Sequence, residues 1–304
     1  MKEFVIELTN RCMNKCLHCS SIFQDTCNTT MDIDSHTLAC AKQFAFNTDI
    51  SSVIFSGGEP FLHPDFFSIL KSFKETNKYI KVYTSGNFYR TMYDTLDFRQ
   101  SLSLVDEFVV TCFSHDEVIH NGITGNSDSF ANLNYFIDKI YSFGNKITMH
   151  IVPMRQNYTG IPFTIDHYHD KISFFSVLKL VKQGNASINW ERIAVDNEPL
   201  SKILYECNKR NSVKTGNPFE ALSNSSTSCG AGTCKVCLTF DRHFLPCEVF
   251  KRERKNFPLI ADTQSLVINS RYFFDANPGS KIPVRCHSSQ IKANLMQAGV
   301  IYDN

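Results

Sequence analysis

The sequence predicts an α/β protein built on a right-handed parallel sheet, open or curled into part of a barrel. Six strand-like runs alternate with helical patterns over roughly the first 180 residues. The runs are continuously apolar, as in parallel strands covered on both faces. Segments rich in cysteine, glycine and small polar residues fall where the first three runs end, and in such sheets ligands gather at the carboxyl ends of strands.

FVIEL (4–8) is the first strand and runs into a cysteine-bearing loop. SVIFSGGEP (52–60) holds the second, stopped by Gly57, Gly58 and Pro60. Phe66, Ile69, Leu70 and Phe73 then recur at the spacing of an amphipathic helix. IKVYTSGN (80–87) reads as strand then turn, with a weaker helical pattern around 90–103. EFVVTC (107–112) is the fourth strand. Phe130, Leu133, Ile137, Ile140 and Tyr141 mark the next helix, with Ser127 and Asp128 as capping candidates. KITMHIV (146–152) and ISFFSVLKLV (172–181) complete the six strands. Beyond 183 the pattern loosens into scattered helical signal and the polar run NPFEALSNSSTS, and CLTFDRHFLPC then reads as a short β-like stretch. The expected organisation is 1–182 for the α/β part, 183–228 as connecting segment and 229–304 as a small C-terminal domain.

Composition excludes several function classes. Lys+Arg 31 against Asp+Glu 30 leaves a formal charge of +1, so no global field attracts nucleic acid or acidic lipid. No apolar run is long enough for a signal peptide or a membrane span, so the expected setting is cytoplasmic. In that compartment disulfides are disfavoured, and the 12 cysteines in 304 residues call for metal or redox chemistry.

The cysteines form two groups. Cys12, Cys16 and Cys19 supply three thiolates, which can wrap three corners of a 4Fe–4S cube and leave the fourth iron open. A structural zinc site would take four ligands, and so would a ferredoxin cluster. His18 between them is a conceivable zinc ligand or a packing side chain. Cys229, Cys234, Cys237 and Cys247, with Cys286 downstream, form the second group. Cys27, Cys40, Cys112 and Cys207 lack neighbours at ligand spacing and read as small buried hydrophobes.

Cys12-x3-Cys16-x2-Cys19 after the first strand, Gly57-Gly58-Glu59-Pro60 after the second and TSGN at the third together resemble the radical S-adenosylmethionine (radical SAM) superfamily. The resemblance implies a partial (β/α)6 barrel with a 4Fe–4S cluster on Cys12, Cys16 and Cys19. It also implies that S-adenosylmethionine chelates the open iron and is cleaved to methionine and a 5′-deoxyadenosyl radical that abstracts hydrogen from substrate. Gly57 and Gly58 would let backbone approach the cofactor, with carbonyls accepting from its ammonium. Glu59 would add negative charge there, or serve as a helix N-terminal carboxylate. Ser85 and Asn87 suit ribose or carboxylate hydrogen bonding, or turn formation. Cys112 stands where a ribose-contacting serine is usual in the family, with Ser114 as a substitute and His120 as a packing or capping side chain.

CGAGTCKVCLTFDRHFLPCEVF (229–250) resembles the auxiliary-cluster extension called twitch, or its longer relative SPASM. That implies a second 4Fe–4S cluster on Cys229, Cys234, Cys247 and Cys286, with Cys237 competing for the place of Cys234. Arg242 stands where the hairpin glycine is usual. The rival reading is a structural zinc site on Cys234, Cys237, Cys247 and Cys286 or His287. Glu248 is a candidate base by resemblance to anaerobic sulfatase-maturing enzymes, or a solvated glutamate. The activity implied is peptide or protein modification: cross-linking, epimerisation or oxidation. A small-molecule substrate such as a nucleotide, sugar or amino acid derivative is the alternative, and a non-catalytic Fe–S or zinc sensor the rival from another class. An external electron donor of flavodoxin or ferredoxin type is expected. The strand so near residue 1 leads to the expectation that no leader-binding domain precedes it, which would require a separate peptide-recognition partner or a short substrate.

Overall fold

The computed structural model describes residues 2–20, 31–215, 230–277 and 288–302. Among the described residues the strands are β1 (Glu3–Glu7), β2 (Ser52–Ser56), β3 (Tyr79–Thr84), β4 (Glu107–Thr111), β5 (Lys146–Ile151), β6 (Phe174–Val177), β7 (Val213–Thr215), β8 (Lys235–Leu238) and β9 (Phe244–Leu245). The helices are α1 (Ser35–Asn47), α2 (Phe66–Lys74), α3 (Leu96–Leu102), α4 (Glu117–Thr124), α5 (Ser129–Ser142), α6 (Ile161–Tyr168), α7 (Asn185–Ile188), α8 (Trp190–Ile193), α9 (Asn197–Asn208), α10 (Thr263–Ala276) and α11 (Ser288–Gln297). The fold is mixed α/β with a parallel sheet, as expected. Among the described residues no helix is long and apolar enough to cross a membrane.

By contact the described residues of 2–11, 31–82 and 230–302 form one compact unit, and those of 12–20 and 83–215 a second. In the first unit the strand order is β3-β2-β1-β8-β9. β1 pairs parallel with β2, Glu3 to Ser52 through Glu7 to Ser56, and on its other side parallel with β8, Glu3 to Lys235 through Ile6 to Leu238. β8 and β9 form the only antiparallel strand pair among the described residues. In the second unit β4, β5, β6 and β7 are parallel neighbours. Among the described residues after 229, β8 extends the ladder on the side of β1 away from β2.

The core of the first unit is aromatic. Phe4, Phe44 and Phe244 meet edge to face, with ring centroids 5.3 Å, 6.3 Å and 6.0 Å apart, and Phe273 of α10 lies 5.2 Å from Phe244. α1 starts at Asp34, whose carboxylate accepts from the Thr37 N–H at 2.8 Å. It buries Cys40, Ala41, Phe44 and Ala45. The sequence pattern gave no helix here, because small side chains form most of that face. α10 opens with a capping box between Asp262 and Ser265.

Other boundaries differ from expectation for local reasons. β6 stops at Val177 rather than running to 181, the last ladder bond being the one the Leu178 N–H donates to Ile151 O. β3 and β6 alternate in burial, so they are not covered on both faces along their length. The helical pattern near 90–103 resolves into a 3₁₀ turn (Arg90–Asp94) and α3. Arg242, between β8 and β9, takes φ +70°, the left-handed conformation that favours glycine, so the turn keeps that backbone at the strain of a side chain. The polar run 217–228 lies outside the described residues.

Phe244 is fully buried against three aromatic rings. Phe244→Ala is expected to lower stability by about 3–5 kcal/mol, read as a reduced denaturant midpoint.

Candidate functional site

Where β1 ends, the chain leaves the ladder and its backbone groups need new partners. In the first unit the turn after β2 supplies them. Gly58 N–H donates to Thr9 O at 2.8 Å and Glu59 N–H to Arg11 O at 2.7 Å. The glycines make that approach possible: a Cβ on Gly57 would lie 2.5 Å from Thr9 O, and one on Gly58 2.1 Å from Arg11 O. Gly57 also sits at φ +144°. The close approach expected of these glycines is thus made to the chain immediately before Cys12.

Glu59 is fully buried and accepts from the Phe61 N–H through Oε1, capping the 3₁₀ turn Pro60–Leu62. Of its two sequence readings, the structure displays the helix-capping one. Arg11 grips Asp32 through both oxygens, Nε to Oδ1 at 3.1 Å and Nη2 to Oδ2 at 2.8 Å, and Thr9 Oγ1 donates to Oδ1 at 2.7 Å. Burial opposes the Asp32 charge, but these bonds outweigh it and hold the carboxyl below its usual range.

The cysteine loop belongs to the second unit. Lys15 N–H donates to Thr124 O at 2.8 Å and Leu17 N–H to Ile123 O at 2.9 Å, so the loop lies on the end of α4. Cys16 and Leu17 pack against Phe113, Ile123, Met154, Ala186 and Ile193. Asn126 Nδ2 donates to Met13 O at 2.9 Å, Asn185 Nδ2 to Cys16 O at 3.1 Å and Asn189 Nδ2 to Leu17 O at 3.1 Å. Asn14, between the first two cysteines, accepts from Asn87 Nδ2 at 2.5 Å, and Asn87 accepts in turn from Asn132 at 2.7 Å. Asn87 is therefore engaged at both ends of its amide by protein. Ser85 Oγ accepts from the Asn87 N–H at 3.2 Å, the turn-forming role.

Burial, then the neighbouring Cys19 and Cys12, push the Cys16 thiol well above its usual value. Cys16 thus feels both other thiols within an eight-residue span, and three thiolates suit a soft, multiply charged iron centre, which would offset their repulsion. His18 stacks edge-on to Phe113 at 4.8 Å and burial lowers it to about 4, so it is a neutral packing ring.

Cys112 is fully buried, its thiol pushed up to about 12 by burial, and donates to Ser114 O at 3.3 Å. Ser114 Oγ accepts from the Asp116 N–H at 3.0 Å. His120 is 1% exposed, accepts from Phe113 N–H at Nδ1 and meets Ser129 Oγ at Nε2, 3.2 Å away. Burial lowers it to about 4. This group shapes the end of β4, in keeping with the packing role expected of His120.

Of the second cysteine group, Cys229 and Cys286 lie outside the described residues, as does His287. Cys234 is exposed, Cys247 is half-buried, and Cys237 is fully buried within β8. Among the described residues no three Cys, His, Asp or Glu side chains are grouped as they would be around a metal ion. Glu248, the candidate base, is half-buried and ion-paired. It bonds Lys235 at 2.8 Å and Lys251 at 3.4 Å, and although burial opposes its charge, the two ammonium groups hold its carboxyl well below the carboxylate range. Lys251, itself buried, also meets Glu7 at 2.7 Å. Lys235 reaches Glu3 at 4.0 Å, and Glu3 meets Lys81 at 3.1 Å.

The asparagines at 14, 126, 185 and 189, the Thr9–Asp32–Arg11 group and Lys251 carry no sequence signal of their own; each is a common residue type made meaningful by a distant partner.

The family profile described as Radical SAM superfamily matches residues 6–166, which is more than half of the chain. The chain belongs to the radical SAM superfamily. Members of this superfamily are enzymes that use a 4Fe–4S cluster and S-adenosylmethionine. Among solved structures the chain is similar to Streptococcus suis SuiB bound to precursor peptide SuiA, with TM-score 0.67 and 17% identity over 85% of this chain and 61% of that one. It is also similar to anSMEcpe with bound AdoMet, with TM-score 0.65 and 15% identity over 98% of this chain and 97% of that one. At these identities the likeness is one of fold, and the chain spans less than two thirds of the SuiB length. No curated protein sequence matches it.

Lys251→Met leaves Glu7 buried without its ammonium partner and is expected to cost about 3–5 kcal/mol; adding Glu7→Gln should recover part of that loss in the same unfolding measurement. His120 titrates near 6.5 when unfolded and about 4 when folded, so its contribution is fully present above pH 6.5 and lost as pH falls toward 4. Stability should fall by on the order of 3 kcal/mol more over that window in wild type than in His120→Gln.

Proposed function

We propose that this radical SAM enzyme modifies a peptide or protein, with Cys12, Cys16 and Cys19 as ligands of its 4Fe–4S cluster. The observation that carries the reading is the loop from 12 to 19, whose three thiols face one another electrostatically while its carbonyls at Met13, Cys16, Leu17 and Cys19 are taken by amide donors. When bound, the cluster would supply the electron that splits S-adenosylmethionine into methionine and a 5′-deoxyadenosyl radical able to abstract hydrogen from substrate.

The chain's own residues orient and hold. Gly57 and Gly58 fix the path of Thr9 to Arg11, the residues that lead into Cys12. Backbone carbonyls of Gly57 and Gly58 are the groups suited to an amino acid ammonium. Asn87 acts by orienting Asn14 rather than by contacting a cofactor. Ser85 is the candidate ribose or carboxylate contact of that turn. Glu248 anchors ion pairs and, as a carboxylate shared by two lysines, is a weak proton acceptor.

Peptide as substrate class is supported by two structures of similar fold that were solved with peptides, SuiB with SuiA and anSMEcpe with the Cp18Cys peptide. A second 4Fe–4S cluster on Cys229, Cys234, Cys247 and Cys286 completes the reading. Exposure favours Cys234 over Cys237 as its ligand, because Cys237 lies inside the sheet. An external carrier of flavodoxin or ferredoxin type would deliver electrons.

Anaerobic reconstitution tests the reading. The reduced wild type is expected to form 5′-deoxyadenosine from S-adenosylmethionine, and Cys16→Ala to form none. About eight irons per chain would support two clusters, whereas about four with one zinc would support the structural alternative for the second site. A wild type that binds iron yet makes no 5′-deoxyadenosine would overturn the assignment.

A further inference from the structure

The stretch after β6 carried no functional signal in the sequence, yet it lies directly against the cysteine loop. Gly184 sits at φ +55°, and a Cβ there would lie 2.4 Å from Cys19 O and 2.8 Å from Ser20 O. The chain therefore passes directly over the end of the loop. Asn185 follows, and its two donors act on both flanks of one turn. Its backbone N–H donates to Cys19 O at 2.9 Å, and its side-chain Nδ2 donates to Cys16 O at 3.1 Å. Cys16 O also accepts from Cys19 N–H at 3.3 Å, the bond that closes the turn itself.

The platform beneath Asn185 is rigid. Ala186 and Ile193 are fully buried in the cluster that includes Cys16, Leu17 and Phe113. Ile193 O accepts from Arg155 N–H at 2.8 Å, and Ala194 O accepts from Arg155 Nε at 3.3 Å. Asn189 Nδ2 bridges Leu17 O at 3.1 Å and Asn185 O at 3.0 Å, tying the clasp to itself. All donors to the loop from this side are neutral amides. They satisfy its carbonyls without placing a cation that would compete with a metal for the thiolates.

We infer that Asn185 is a positioning residue that sets the Cys16–Cys19 turn, and with it the spacing of two of the three cluster thiols. This rests on the assignment of Cys12, Cys16 and Cys19 as ligands. Groups that orient metal ligands without touching the metal are worth about 10–100-fold in metal affinity when removed. Asn185→Ala removes the Cys16 bond and keeps the backbone bond to Cys19. Asn185→Asp keeps size and backbone bond but turns a carboxylate oxygen on the Cys16 carbonyl.

The test uses the full chain, reconstituted anaerobically with iron and sulfide, as wild type, Asn185→Ala, Asn185→Asp and the exposed control Asn208→Ala. Three quantities are read: apoprotein melting temperature, rate of iron loss to a chelator, and the electron paramagnetic resonance spectrum of the reduced cluster. The expected result is near-wild-type melting for both Asn185 variants, iron loss at least about tenfold faster and an altered spectrum, with the control unchanged. If Asn185→Ala does not fold, Asn185→Asp decides. Variants that keep the wild-type chelation rate and spectrum overturn the proposal, and so do two variants that both fail to fold, since the segment would then be a general stability element. A wild type that takes up no iron removes the ligand assignment itself, an outcome distinct from iron held equally well by wild type and variants.

Discussion

A parallel strand that ends in an irregular loop strands the loop's peptide groups, and each one left buried without a partner costs about 1–3 kcal/mol. The chain after β1 is the place where this constraint bites. Both units answer it, by different chemistry. In the first, two glycines let the turn after β2 reach Thr9 and Arg11 with its own N–H groups. In the second, asparagine side chains reach the loop's carbonyls from the α4–α5 turn and from the segment after β6. The outcome is a cysteine loop whose carbonyls at Met13, Cys16, Leu17 and Cys19 are engaged by the protein, leaving sulfur as its distinctive donor.

β1 itself serves two environments, because its side chains alternate across the sheet. Phe4 enters the aromatic core with Phe44 and Phe244, while Glu3 and Glu7 enter a chain of ion pairs with Lys81, Lys235, Lys251 and Glu248. Such buried charge is costly unless every member is paired. It also penalises slippage: moving β8 by one residue would put Lys235 on the aromatic face and Val236 among the carboxylates.

Strands β1 to β5 were legible because short runs rich in apolar and β-branched residues ended in recognisable turns. α1 was not, since Cys40, Ala41 and Ala45 bury a face without advertising one. The GGEP segment was legible as a motif, but not the reason for its glycines, which lies in the backbone of Thr9 and Arg11 some fifty residues earlier. The clasp at 184–189 was illegible for a similar cause. Asparagine and glycine in a loop signal a turn whether or not a carbonyl waits beside them. The ion pairs of Glu248 were illegible because its neighbour in sequence, Cys247, says nothing of the two lysines that meet it. Non-local pairing is the common thread, and the pairing of β8 with β1 is its largest instance.

That pairing has a consequence for how the chain comes into being. Lys235 is synthesised long after its partner Glu3. One edge of an apolar strand thus stays open while β2 to β7 emerge, and closing it carries the loop entropy of nearly the whole chain. Such a topology folds slowly and presents a ready template to other chains in the interval. Glu3 and Glu7 put charge along that strand, which disfavours pairing with other chains until β8 arrives.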